Sequence, residues 1–154
     1  KRSLDLTSAY FVPRPAFIQA LVEAAQRGVE VRVLVPGPHV DKEIVRIAGR
    51  STYEQLMRGG VQIFEYQPTM LHAKSLVVDK VWTTIGSVHF DNRSFQLNDE
   101  ATLCIQGSAF AQQLTEVFED DLVKSEKMKP RRWLQRGPVQ RSKEMAARLL
   151  RREL

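Results

Sequence analysis

Two pairs of residues have the types and spacing for chemistry: His72 with Lys74, and Ser87 with His89. Alternate side chains of a strand share one face, so this spacing predicts imidazole, ammonium and hydroxyl groups on one side. Leu71, Ala73, Ser75 and Val77 then take the other side. Such donors suit one anion, and phosphate fits: Lys supplies a point charge, while Ser and His supply hydrogen bonds. His72 has two routes, attack on phosphorus or acid and base work. Both need its distal ring nitrogen held in the right tautomer. A carboxylate can do this, and Glu100 and Asp79 are the candidates. By itself a lone histidine is more often structural, so the pairs need a scaffold and a wider pattern.

The scaffold is legible in the periodicity. Leu4–Val12 is apolar and β-prone, and Pro13 and Pro15 stop it. Phe17, Ile18, Leu21, Val22 and Ala25 recur at helical spacing within Ala16–Arg27, and Gly28 follows as a helix stop. Val29, Val31, Val33 and Val35 alternate as a strand should, and Pro36-Gly37-Pro38 ends the run. Strand, helix and strand in this order predict a βαβ unit with a parallel pair. A helix is expected from an Asp41 cap to about Arg58, closed by Gly59-Gly60. Strands are expected at Val61–Tyr66, Leu71–Val78, Val81–Ile85 and Ala101–Ile105, with a tight hairpin at Asp79-Lys80. Ser87–Asp99 reads as a polar loop and Ala109–Val123 as a helix. Lys124–Gly137 reads as a basic connection, and Val139–Leu154 as an amphipathic helix. The expected fold class is α/β: a mixed, mostly parallel β-sheet flanked by helices, with an amphipathic C-terminal helix. Residues 1–125 form the expected catalytic unit, and residues 126–154 a basic tail.

Composition narrows the field. Of 154 residues, 43% are hydrophobic and 27% charged, which excludes a disordered or collagen-like chain. The single cysteine, Cys104, permits neither an internal disulfide nor a Cys-based zinc site. No apolar run reaches the roughly 18 residues of a spanning helix. The chain opens Lys1-Arg2-Ser3 and reads as a piece of something longer. The net charge of +5 is unevenly placed. Residues 124–154 carry 11 Lys or Arg against 3 Asp or Glu, whereas residues 1–123 carry 12 against 15. The body is slightly acidic, which argues against a body-wide nucleic-acid surface, and the tail is basic enough to meet lipid or other phosphates.

The complete string lifts the site out of this background. His72-Ala73-Lys74, four residues, Asp79, six residues and Gly86-Ser87 match the signature of the phospholipase D superfamily, with both gaps correct. Tyr10-Phe11-Val12-Pro13, Val33-Leu34-Val35-Pro36-Gly37, Gln67-Pro68 and the run from Phe90 to Glu100 resemble the second half of a bacterial cardiolipin synthase. Glu119-Asp120-Asp121-Leu122 and Trp133 extend the resemblance over nearly the whole chain.

That resemblance implies a mechanism. Two HxK motifs, one from each half, meet across a pseudo-twofold axis and share one phosphate. One histidine forms a phosphohistidine; the other protonates the leaving alcohol and then activates the incoming one. The resemblance gives His72 the acid and base role, Lys74 and Ser87 the phosphate, and Glu100 the orientation of the histidine. Asp79 completes the motif, with a role more structural and electrostatic. No metal or other cofactor is implied. The implied partners are a phospholipid, a missing N-terminal half or a second copy, and an anionic membrane surface, with nucleic acid less favoured. The implied location is the cytoplasmic face of a bacterial membrane.

Two departures stand out. There is one HxK motif, because His39 has no lysine two residues on. His89 stands where the family usually has Asn, as a phosphate ligand, a mark of altered specificity or a tolerated change. Arg93 reads equally as a phosphate or headgroup contact and as a brace for its loop. Trp133 reads equally as a membrane-interface residue and as packing. A phospholipase D hydrolase, a homodimeric phosphodiesterase or nuclease, and an inactive phosphate-binding module remain the alternatives.

Overall fold

A computed structural model describes residues 2–88, 99–130, 133 and 137. Seven strands form one sheet: β1 (Ser3–Ser8), β2 (Glu30–Pro36), β3 (Gln62–Tyr66), β4 (Lys74–Val78), β5 (Trp82–Gly86), β6 (Thr102–Gln106) and β7 (Ser125–Lys127). Their order is β6-β5-β4-β1-β2-β3-β7. The helices among the described residues include α1 (Pro15–Gln26), α2 (Glu43–Arg50), α3 (Tyr53–Arg58) and α4 (Ser108–Val123).

The mixed α/β class stands, but the expected parallel majority does not. Only β1 with β2 and β2 with β3 run parallel; β1–β4, β3–β7, β4–β5 and β5–β6 are antiparallel. The reason is connection length. A parallel return needs a crossover of about a dozen residues, and residues 67–73 between β3 and β4 are too few. This link runs along one end of the sheet, and β4 enters from that end, opposite in direction to β1. At the far end, Asp79 and Lys80 turn the chain with φ of 54° and 56°, the paired positive values of a tight hairpin.

The βαβ reading holds. Pro15 starts α1, where a fixed φ and a missing N–H cost nothing. Ile18 and Leu21 of α1 pack with Val31, Val33 and Val35 of β2, and with Leu56 and Ile63, in the main core. The single helix expected over 41–58 is two helices. Ser51 Oγ donates to the Ala48 carbonyl at 2.6 Å and Thr52 Oγ1 to the Gly49 carbonyl at 2.8 Å. These hydroxyls take up carbonyls at the end of α2 and favour a break. The expected Asp41 cap is also absent: Lys42 holds the N-cap position and no side chain caps the helix.

On the opposite face α4 brings Phe118 onto Leu34 and Leu71. An ion network running from the buried Asp5 to the exposed Glu119 fixes this layer: Arg32 lies 2.7 Å from both, and 5.1 Å from the Phe118 ring centroid. The boundary expected at residue 125 falls inside β7, which pairs with β3. Met128 and Trp133 are buried in the main core, so the folded unit continues past it. Trp133 stacks on Tyr53 at 5.1 Å and lies under Arg50, which decides for packing. The C-terminal helix expected at Val139–Leu154 lies outside the described residues.

Candidate functional site

The site forms where β1, β2 and β3 deliver their carboxyl ends. Chain order reverses around β1, with β2 on one side and β4 on the other. Such switch points open a crevice in which ligands of α/β sheets bind. Lys74, the first residue of β4, pairs with Ser8, the last of β1. Ser87 follows β5, and Glu100 precedes β6, at this same end.

His72 is not on the strand, as the period-two argument expected. It belongs to the link before β4, and that link carries it along the sheet end. The pair still meets. Lys74 Nζ lies 2.7 Å from His72 Nδ1 and donates to the His72 carbonyl at 2.8 Å. An ammonium has donors only, so Nδ1 accepts, and a neutral ring then carries its proton on Nε2. Burial pushes the Lys74 ammonium below the ordinary lysine pKa, while the charges of Glu100 and Asp41 pull it back in part. Glu100 thus stands within electrostatic reach of the HxK pair.

Ser87 is tied to the strand beside it. Its N–H donates to the Ala101 carbonyl at 2.9 Å, and its Oγ accepts the Ala101 N–H at 3.0 Å. Gly86 permits this closure. A Cβ there would stand 2.2 Å from the Ala101 carbonyl oxygen, a distance no side chain tolerates. The Gly-Ser of the motif is therefore a fit between two chains as well as a hydroxyl.

Asp79 is not part of this group. It sits at the other end of β4, where its Oδ1 accepts the N–H groups of Arg2 at 2.5 Å and Ser3 at 3.0 Å. Five residues of strand separate it from the site end, a span of roughly 17 Å. There it staples the start of β1 to the hairpin, away from His72. His89 and Arg93 lie outside the described residues.

Two residues that the pattern of chemistry missed stand beside His72. The Tyr10 ring meets the His72 ring edge to face, with centroids 5.8 Å apart and planes at 85°. The Tyr10 hydroxyl donates to the Asp41 carboxylate. That hydroxyl holds the Asp41 carboxyl below its ordinary pKa, and the charge on His72 contributes in the same direction. The only signal in the sequence was the Tyr-Phe-Val-Pro string, which had no chemistry attached. Among the described residues no group of three His, Cys, Asp or Glu could hold a metal ion.

Comparison with known proteins places this geometry. The family model described as "Cardiolipin synthase, PLD-like domain" matches residues 1–122. Cardiolipin synthase A of Erwinia tasmaniensis is 38% identical over 141 residues, covering 92% of this chain and 29% of that protein. The probable cardiolipin synthase YwiE of Bacillus subtilis is 36% identical over 149 residues, covering 97% of this chain and 30% of that protein. The chain therefore spans about three tenths of the length of these curated relatives. Among solved structures, the phospholipase D family member Nuc from Salmonella typhimurium superposes with a TM-score of 0.72 at 22% identity, covering 84% of this chain and 83% of that one. Phosphatidylserine synthase of Haemophilus influenzae Rd KW20 gives 0.74 at 15% identity, covering all of this chain and 42% of that one. These two establish the shared fold. With the HxK pair at the sheet's carboxyl end and the family match over most of its length, the chain belongs to the cardiolipin synthase PLD-like domain family.

Proposed function

We propose that this chain is one catalytic half of a phosphatidyltransferase of the cardiolipin synthase type. The observation that carries the reading is the His72–Lys74 pair, 2.7 Å apart at the switch point, with Glu100 in electrostatic reach. In this reading Lys74 and Ser87 bind the phosphate of phosphatidylglycerol. A histidine of a second HxK half attacks phosphorus, and a phosphorus–nitrogen bond to that histidine replaces the ester bond to glycerol. His72 enters this step as the imidazolium, delivers its Nε2 proton to the departing glycerol oxygen and is left neutral. It then takes the proton from the hydroxyl of a second phosphatidylglycerol, whose oxygen displaces the histidine and forms cardiolipin. The atoms balance: one phosphodiester bond is exchanged for another, and one glycerol leaves. His89 and Arg93 are assigned to the phosphate and headgroup in the same reading. The site would work at an anionic membrane surface, on its cytoplasmic side.

Product analysis tests this in a preparation that supplies a second HxK half. Phosphatidylglycerol vesicles should yield cardiolipin and glycerol, and His72→Ala should abolish both. Phosphatidic acid in their place would mean transfer to water and a hydrolase. A second reading rests on the Nuc superposition, which covers most of both chains. There two copies of this chain complete the site as a phosphodiesterase, and His72-dependent cleavage of DNA by this chain alone would establish it. Phosphate binding without turnover on lipid or DNA would leave a binding module.

A further inference from the structure

The geometry points to Tyr10 and Asp41 as a positioning pair for His72, one that fixes the imidazole plane. This rests on the reading of His72 as the proton carrier.

Three contacts converge on Tyr10. Its ring stands edge to face with His72. Its hydroxyl donates to the Asp41 carboxylate. The Lys42 ammonium lies 5.1 Å from its ring centroid. Each contact limits a different motion. The hydroxyl anchor fixes the far end of the ring. The cation over the aromatic face opposes rotation about the long axis. The edge-to-face contact then transmits this fixed plane to the imidazole. Tyr10 reaches this place because it follows β1 directly, and Asp41 because it precedes α2 at the same sheet end.

The electrostatics agree. The Asp41 carboxylate is favoured by the Tyr10 hydroxyl first and by charge on His72 in addition.

The test reads the histidine itself. The chain has three histidines, His39, His72 and His89, so His72→Ala assigns the His72 ring signal in proton NMR. Tyr10→Leu should remove the ring-current contribution of Tyr10 and move the His72 ring signal, while Tyr10→Phe, which keeps the ring, should move it less. In the preparation with a second half, Tyr10→Leu should reduce kcat about five-fold with KM unchanged, since it misplaces the proton carrier and not the phosphate ligands, and Tyr10→Phe should restore part of that loss. Asp41→Asn, which weakens the anchor of the Tyr10 hydroxyl, should move kcat in the same direction as Tyr10→Leu. A kcat indifferent to Tyr10→Leu and Asp41→Asn, where His72→Ala abolishes turnover, overturns the pair while the functional reading stands. Turnover indifferent to His72→Ala, with the His72 signal moved by Tyr10→Leu, would instead sink the functional reading and leave the pair.

Discussion

Lys74 holds its charge against burial, and that sets a limit on the alkaline side. Desolvation weakens its hold on the proton, with Glu100 and Asp41 restoring only part. The ammonium is the charged form, so a lowered pKa means that charge is lost at a lower pH than for a free lysine. Phosphate affinity should therefore fall on the alkaline side before the ordinary lysine range is reached. Lys74→Arg should abolish that limb, because guanidinium stays charged there, while turnover drops about 100-fold through lost geometry. A pH profile of inorganic phosphate binding, beside turnover, checks both statements. Asp79 shows how one signature can hold two kinds of residue. His72 and Lys74 touch each other; Asp79 touches Arg2 and Ser3 at the opposite sheet end. Asp79→Ala loses two acceptor contacts and places alanine at a φ of 54°. It should destabilise the chain by about 2 kcal/mol in denaturant titration. Substrate turnover per folded molecule should be unchanged.

At the level of elements, the sheet end matters more than any single strand. The link over 67–73 is too short to cross the sheet, so it must travel along the edge and leave His72 there. The layer beneath is held by Arg32. Burial works against its charge, but hydrogen bonds and charge from Asp5 and Glu119 outweigh it and hold the guanidinium above its ordinary pKa. Asp5 is fully buried, so removing its partner strands a carboxylate in the interior. Arg32→Met should cost about 3–5 kcal/mol, and Asp5→Asn in that background should recover part of it. Chemical denaturation of the single and double variants measures both.

At the scale of the whole chain, the 154 residues contain one HxK motif where the proposed reaction needs two. As one half of a larger enzyme, the chain should run near 17.6 kDa in light scattering and turn over no lipid alone. A mass near twice that, with His72-dependent turnover, would favour two copies completing the site. No helix among the described residues is long and apolar enough to cross a membrane. Residues 124–154 hold 11 Lys or Arg against 3 Asp or Glu, whereas the candidate site lies in the slightly acidic body.

Local pattern was enough for the βαβ start, the hairpin at Asp79-Lys80 and the meeting of His72 with Lys74. Each depends on periodicity, turn chemistry or fixed spacing, and these act over a few residues. The sense of β4, the membership of Ser125–Lys127 in the sheet and the burial of Trp133 depend on partners far away in sequence. The split of α2 from α3 was missed for a smaller reason, because Ser51 and Thr52 compete for carbonyls that the apolar periodicity does not register. The separation of Asp79 from the site followed from strand length and direction together. Tyr10 and Asp41 carry no mark of chemistry in their own neighbourhoods. They meet His72 only because β1 ends, α2 begins and the chain passes before β4 at one place in the tertiary structure.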